Sequence, residues 1–324
     1  MSPIPKISPG ISDEILRVAN SIIDDYDKDR AIDNMDGMFC QPDREIIFES
    51  IRNLLRIIYP GFFSSKTYKI YNASSRVYVL LEDVQFHLSK QIAIALSYGK
   101  NLDEQSREQN QQYAEKITLK FLGQIPKIRA YLEEDLHTAF DSDPAALNIG
   151  EIIISYPGIF AISIHRLAHE LSVLGVPLIP RVMSEYAHSR TGIDIHPNAQ
   201  IGHNFFIDHG TGIVIGESTI IGNNVKIYQG VTLGALSTHG GQALRNKKRH
   251  PTIEDNVIIY SNASILGGET VVGHDSVIGG NAFVTKSVKP GSRVSVRTHE
   301  QQLVDIREKA KAADPKDECW YYQI

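Results

Sequence analysis

Residues 201–235 read IGHNFFIDHGTGIVIGESTIIGNNVKIYQGVTLGA. Ile201 and Ile207 stand six apart, and after a step of eight the interval resumes through Ile215, Ile221, Ile227 and Leu233. Toward the N-terminus Ile195 continues the series. Toward the C-terminus, beyond an intervening loop, come Ile253, Ile259 and Ile265, then after a step of seven Val272, Ile278 and Val284. The residue four places after an anchor is mostly small or β-branched: Ala199, Thr211, Thr219, Val225, Val231, Val257, Ala263, Ser276, Ala282 and Val288. Glycine often follows the anchor directly, as in Ile201-Gly202, Ile221-Gly222 and Ile278-Gly279. A period of six is needed neither by a helix nor by an alternating strand; it is the signature of a parallel β-helix. Each hexad supplies one short side of a triangular coil, with its anchor pointing to the axis, and stacked coils pair through parallel ladders. An all-β sandwich would need this phase to arise by coincidence.

The N-terminal side of the repeat has a different period. Ile15, Val18 and Ile22 recur at helical spacing, as do Ile47, Ile51, Leu54 and Ile58 ahead of Pro60-Gly61. Further stripes are Val77, Leu81, Val84, Leu88 and Ile92, then Ile128, Leu132 and Leu136, then Phe160, Ile164, Leu167 and Leu171 after Pro157. Such stripes read as helices burying one face against neighbours. The Gln-rich segment from Asn101 to Tyr113 reads as a linker or an exposed helix start. The expected organisation is α+β: an α-helical N-terminal domain over 1–190, a parallel β-helix over 191–294 with a flap at 235–249, and a tail over 295–324.

Composition bounds the function. The 324 residues carry 33 Lys+Arg against 38 Asp+Glu, a formal net charge of -5, which argues against a nucleic-acid protein. No apolar run reaches membrane-spanning length, and MSPIPKISPG lacks the apolar core of a secretory signal. Cys40 and Cys319 offer neither a disulfide framework nor metal-ligand spacing. These features point to a cytoplasmic protein with no membrane or nucleic-acid partner.

A solenoid is mostly scaffold, so chemistry is expected where the repeat breaks. The largest break, ALSTHGGQALRNKKR over 235–249, ends in a basic cluster beside His250-Pro251 and reads as a solvated loop or an anion-binding flap. The eight-residue step contains Asp208-His209-Gly210-Thr211-Gly212 and should push Asp208 and His209 outward. Asp194, fifteen residues before His209, is close to one coil of three hexads away. The two are therefore expected to stack, the carboxylate fixing the imidazole tautomer and raising its basicity. His196, His203, His209, His239, His250 and His274 lie in the repeat half without metal-ligand spacing, so no metal is expected.

GIDIHPNAQIG, IDHGTGIVIGE, the VTLGA turn, KRHPTIEDNVIIYSNASILGG and IGGNAFVTKSV together resemble the serine O-acetyltransferases, hexapeptide-repeat acyltransferases, over about residues 135–290. The resemblance implies a left-handed β-helix and transfer of acetyl from acetyl-CoA, a substrate, to L-serine, the first step of cysteine biosynthesis. It implies His209 as general base oriented by Asp194. Asp143 and Asp208 would hold the serine amino group, and Arg249 and His250 its carboxylate. Gly234, Ala235 and Ser261 would contact the pantetheine arm of CoA, with Lys286 and Lys289 candidates for its phosphates. It further implies a homotrimer or dimer of trimers with a site between subunits and L-cysteine as feedback inhibitor. The terminal Ile324 would be a possible anchor for O-acetylserine sulfhydrylase. A non-catalytic scaffold, or an acyltransferase with a different donor or acceptor, are the alternatives. The sequence departs from the family at Gly234-Ala235, in the longer flap, in VSVRTHEQQ over 294–302 and in an N-terminal extension of about 100 residues.

Overall fold

The computed structural model describes residues 9–26, 28, 30, 32, 41–63, 73–98 and 103–296. Cys40, Cys319 and Ile324 lie outside them.

Among the described residues, eight helices precede the repeat: α1 (Pro9–Tyr26), α2 (Arg44–Ile58), α3 (Ala73–Ser97), α4 (Glu104–Leu122), α5 (Ile125–Ser142), α6 (Ile149–Ser155), α7 (Pro157–Val173) and α8 (Ile179–Thr191). Local chemistry sets several of their ends. Asp43 caps α2 by accepting from the amides of Glu45 and Ile46, and Asp103 caps α4 through Ser106. Pro157 occupies the first turn of α7, where its missing N–H is not needed. Gly192 ends α8 in the left-handed region at φ 69°. The apolar stripes of α2, α5 and α7 are buried: Ile47, Ile51 and Leu54, Ile128 and Leu132, Ile164, Leu167 and Leu171. On α3 the stripe is buried from Val84 onward, whereas Val77 is exposed. The polar run at 101–113 resolves in favour of an exposed helix start, since α4 begins at Glu104. The stripe of α1 departs from expectation: Ile15, Val18 and Ile22 are about half exposed, and among the described residues no element packs closely over that face.

The repeat winds into coils of short parallel strands. The first coil holds β1 (Asp194–Ile195), β2 (Gln200–Ile201) and β3 (Phe206–Asp208). The second holds β4 (Val214–Ile215), β5 (Ile220–Ile221) and β6 (Lys226–Tyr228). The third holds β7 (Thr232–Gly234), β8 (Thr252–Ile253) and β9 (Ile258–Ile259), with the flap between β7 and β8. The fourth holds β10 (Ser264–Leu266), β11 (Val271–Val272) and β12 (Val277–Ile278), and β13 (Phe283–Val284) and β14 (Arg293–Val294) begin a fifth. Three walls result, ordered β1-β4-β7-β10-β13, β2-β5-β8-β11 and β3-β6-β9-β12-β14. The anchors fill the axis; Ile227, Leu233, Ile253, Ile259, Ile265 and Ile278 are fully buried.

The corners use left-handed backbone. Asn204, Asn224, Asn256 and Asp275 have φ near 57°, and their side chains form a ladder of 2.9–3.0 Å hydrogen bonds from coil to coil. At the corner from the third wall to the first, Gly230, Asn262 and Asn281 take the same conformation.

Two contacts lock the helices to the first coil. Arg166 of α7 forks onto the buried carboxylate of Asp135 of α5 at 2.7 and 2.9 Å, and donates to Gly202 O at 2.9 Å. Asp135 also accepts from the Phe205 amide at 2.9 Å. The first turn of α7 lies directly on β3, where a Cβ at Gly158 would sit 2.5 Å from Ile207 O. The C-terminus of α5 and the N-terminus of α7 are thus fixed beside the end of β3.

Candidate active site

The eight-residue step from Ile207 to Ile215 holds two more residues than a hexad, and the excess falls at His209-Gly210. Both have positive φ, 58° and 81°, while Gly212 takes the corner position filled by Gly230 in the next coil. A histidine in the left-handed region is uncommon and marks a conformation imposed by its surroundings. The bulge throws the imidazole out of the coil, and its side chain is 72% exposed. Thr211, four places after anchor Ile207, lies on the surface, and Ile213 is the residue buried in the axis there.

Three of the expected residues meet at this corner. Asp208 ends β3, with Oδ1 3.6 Å from His209 Nδ1. Asp143 caps the C-terminus of α5 and accepts from Tyr156 Oη at 2.6 Å and from the Ala145 amide at 2.8 Å. These bonds, Tyr156 foremost, hold the Asp143 carboxyl below the usual range, and the charge of His209 acts in the same sense. Reciprocally, Asp143 pushes the Tyr156 phenol up to about 12, so Tyr156 is a permanent donor. The corner therefore presents two carboxylates and an imidazole to solvent.

The other expected residues gather elsewhere. Arg249 and His250 close the flap at the corner between the first and second walls. Arg249 Nη2 is ion-paired with Glu217, and its Nη1 donates to Leu244 O at 3.3 Å. His250 lies over Gly216, where a Cβ would come within 2.0 Å of the ring, and is 7% exposed. Its Nδ1 accepts from the Ser218 amide at 3.1 Å. Burial first, and Arg249 second, lower its pKa to about 4. A neutral ring whose Nδ1 accepts carries its proton on Nε2, which lies beside Gly216 and is left as the donor of the ring.

Asp194 belongs to this second group. It opens the first wall and pairs in register with Val214, twenty residues on, because the bulge lengthens the first coil. Its ion-pair partner is Arg181 at 3.9 Å, and it acts electrostatically on His196. The expected stacking of Asp194 on His209 is thus not made within the chain; fifteen residues fall short of one coil. Glu185, His188 and Asp194 lie close enough to hold an ion, but Arg181 is paired with both Glu185 and Asp194 and supplies positive charge there.

Gly234 ends β7 and Ala235 starts the flap; Ser261 stands at the third-to-first-wall corner, its carbonyl accepting from the Asn281 amide at 2.9 Å. Lys286 and Lys289 are exposed on the fifth coil.

Two tyrosines near the first corner escaped the sequence reading. Tyr156 reads only as the lead-in to Pro157. Tyr228 carried a usable signal: it follows anchor Ile227 as Asp208 follows Ile207, and register places it directly over Asp208.

No family model matches the chain. Among curated proteins, a plasmid-borne serine acetyltransferase of Synechococcus elongatus is 41% identical over 266 residues, covering 80% of this chain and 83% of that protein. The chain belongs to the serine acetyltransferase family. A Bacillus subtilis serine acetyltransferase is 48% identical over 136 residues, 42% of this chain and 60% of that protein. Among solved structures, Entamoeba histolytica serine acetyltransferase 1 in complex with L-cysteine superposes with a TM-score of 0.67 at 35% identity, covering 79% of this chain and 87% of that one. Neisseria gonorrhoeae serine acetyltransferase in complex with serine gives 0.50 at 28% identity, covering 78% and 93%. The shared fold is a helical unit followed by a left-handed β-helix, and the enzyme is an acyltransferase. Among the described residues, no helix is long and apolar enough to cross a membrane.

Proposed function

We propose that this chain transfers the acetyl group of acetyl-CoA to the hydroxyl of L-serine, giving O-acetyl-L-serine and CoA at the entry to cysteine synthesis in the cytoplasm. The observation that carries this is the convergence of Asp143, Asp208 and His209 on one solvent-facing corner. A zwitterionic substrate with a hydroxyl needs an acidic cradle for its ammonium and a base at its oxygen, and this corner supplies both. His209 takes the hydroxyl proton as the oxygen attacks the thioester carbonyl, then returns a proton to the departing thiolate. No enzyme nucleophile is required.

The carboxylate of serine needs the opposite charge, and Arg249 with the Nε2–H of His250 provides it. Those groups lie at another corner of the same triangle, so one chain cannot close the site alone. We infer that neighbouring copies in a trimer complete it: Asp143, Asp208 and His209 from one, Arg249, His250 and Asp194 from the next. Asp194 would then orient His209 across the seam. CoA would run along the coils past Gly234, Ala235 and Ser261 toward Lys286 and Lys289. L-cysteine, differing from serine by one atom, would occupy the same charged cradle as an inhibitor. Capture of the sulfhydrylase by Ile324 is a separate proposal, resting on the resemblance.

The test is CoA release with acetyl-CoA, with and without L-serine. Serine-dependent release that collapses in His209→Ala supports the reading. Wild-type release without serine dependence would favour a different acceptor, and no release at all the scaffold.

A further inference from the structure

Directly above Asp208 on the third wall stand two aromatic rings. Asp208 pairs in register with Tyr228, and Tyr260 follows one coil higher, one residue beyond the paired Ile227 and Ile259. Their rings stack with centroids 5.1 Å apart and planes at 20°. The alternation of the strands turns Ile207, Ile227 and Ile259 into the axis, so Asp208, Tyr228 and Tyr260 all face outward. Tyr228 is half-buried and Tyr260 is 40% exposed. Among the described residues neither phenol oxygen makes a hydrogen bond, so ring contact holds the pair. One coil higher the column loses its side chain, since Gly279 follows Ile278, the register partner of Ile259. The wall is therefore narrowed by two rings just above the acidic corner and opens above them.

We propose that the Tyr228–Tyr260 stack sets the size of the acyl group this enzyme transfers. The proposal rests on the assignment of His209 as the base. A base must lie within about 3 Å of the hydroxyl it deprotonates, and that oxygen within about 3.5 Å of the carbonyl carbon it attacks. Coils rise by about 4.8 Å. Displaced toward the higher coils, along which the proposed CoA path runs, the reacting carbonyl lies at the height of Tyr228, and the acyl substituent is directed along the stacked faces of Tyr228 and Tyr260. A methyl group fits beside a stacked aromatic pair; a longer chain meets the rings. A succinyl chain meets in addition the like charges of Asp208 and Asp143. The open stretch at Gly279 leaves space for the bulk of the carrier above the constriction. The phenol of Tyr228 is pushed upward by burial and by Asp208, so it stays neutral and adds no charge to the wall.

The test compares kcat/KM for acetyl-, propionyl- and butyryl-CoA at saturating L-serine in the wild type, Tyr228→Ala, Tyr260→Ala and Tyr228→Phe. Since one methylene in a tight pocket is worth about tenfold or more in discrimination, the propionyl-to-acetyl ratio should rise about tenfold in the alanine variants. Tyr228→Phe keeps the ring and should keep the ratio. Should Tyr228→Ala not fold, as judged by circular dichroism, Tyr260→Ala carries the test alone. An unchanged ratio in folded alanine variants overturns the proposal, as does a wild type that uses butyryl-CoA as well as acetyl-CoA. Loss of the base assignment reads out separately, as serine-dependent acetyl turnover surviving in His209→Ala.

Discussion

The phenol of Tyr156 donates to Asp143 Oδ2 at 2.6 Å, joining the residue before α7 to the residue that ends α5. The Ala145 amide takes the other oxygen at 2.8 Å, so the carboxylate is held from both sides. Tyr156→Phe removes one donor, frees the carboxylate to rotate and lets its pKa climb. If Asp143 binds the ammonium of serine, KM for serine should rise by up to about tenfold, the cost of one hydrogen bond to a charge, with kcat little changed. Steady-state kinetics at varied serine, with KM for acetyl-CoA as the internal control, decide this. A fall in kcat at constant KM would move Tyr156 into the chemical step.

Replacement of His209 by alanine should lower kcat by about 10²–10⁴, the span of general-base assistance. The imidazole is 72% exposed and supports no core, so the variant should melt with the wild type. Differential scanning calorimetry beside the kinetic assay separates lost chemistry from lost structure.

Asp143, Asp208 and His209 occupy one corner, and Arg249 and His250 another. If copies share the site, His209→Ala and Arg249→Ala are each inactive alone but complementary when co-expressed. In a randomly mixed ring about a quarter of the seams carry both native groups, and about that fraction of activity should return. Mixed assemblies that stay inactive would show that each chain supplies both groups to its own site. Asp194→Asn, combined in the same way with each parent, reports which of the two corners the carboxylate serves.

Acid should destabilise the fold through buried imidazoles. The His250 pKa is about 4 in the folded chain, mainly through burial, against 6.5 ordinarily. Between those values the unfolded chain binds the proton and the folded chain does not, so stability is lost as pH falls through this window. His165 and His196 are also lowered, burial again leading, and add in the same direction. The melting temperature should drop between pH 7 and pH 5, and His250→Gln should flatten that slope.

The axis of the solenoid was legible because its physics is periodic: Ile201, Ile207 and Ile221 repeat a constraint that each coil imposes afresh. The corner carrying His209 was legible as a break in that period. The position of Asp194 was not, because a coil lengthened by His209-Gly210 carries it past its expected neighbour to Val214. The partnership of Arg249 with Glu217 depends on where a fifteen-residue flap returns, which no periodicity encodes. The exposed stripe of α1 shows the converse limit, since amphipathic spacing demands burial without saying against what.

The bulge at His209-Gly210 leaves Ile207 and Ile215 seated normally, buried at 2% and 1%. The reactive loop is therefore an appendage that the stacked framework tolerates, not a keystone of it. Excising those two residues would restore the six-residue cadence from Ile195 through Leu233, and the product should be a well-folded but inert prism. Chemistry and architecture in this chain are separable by a single dipeptide.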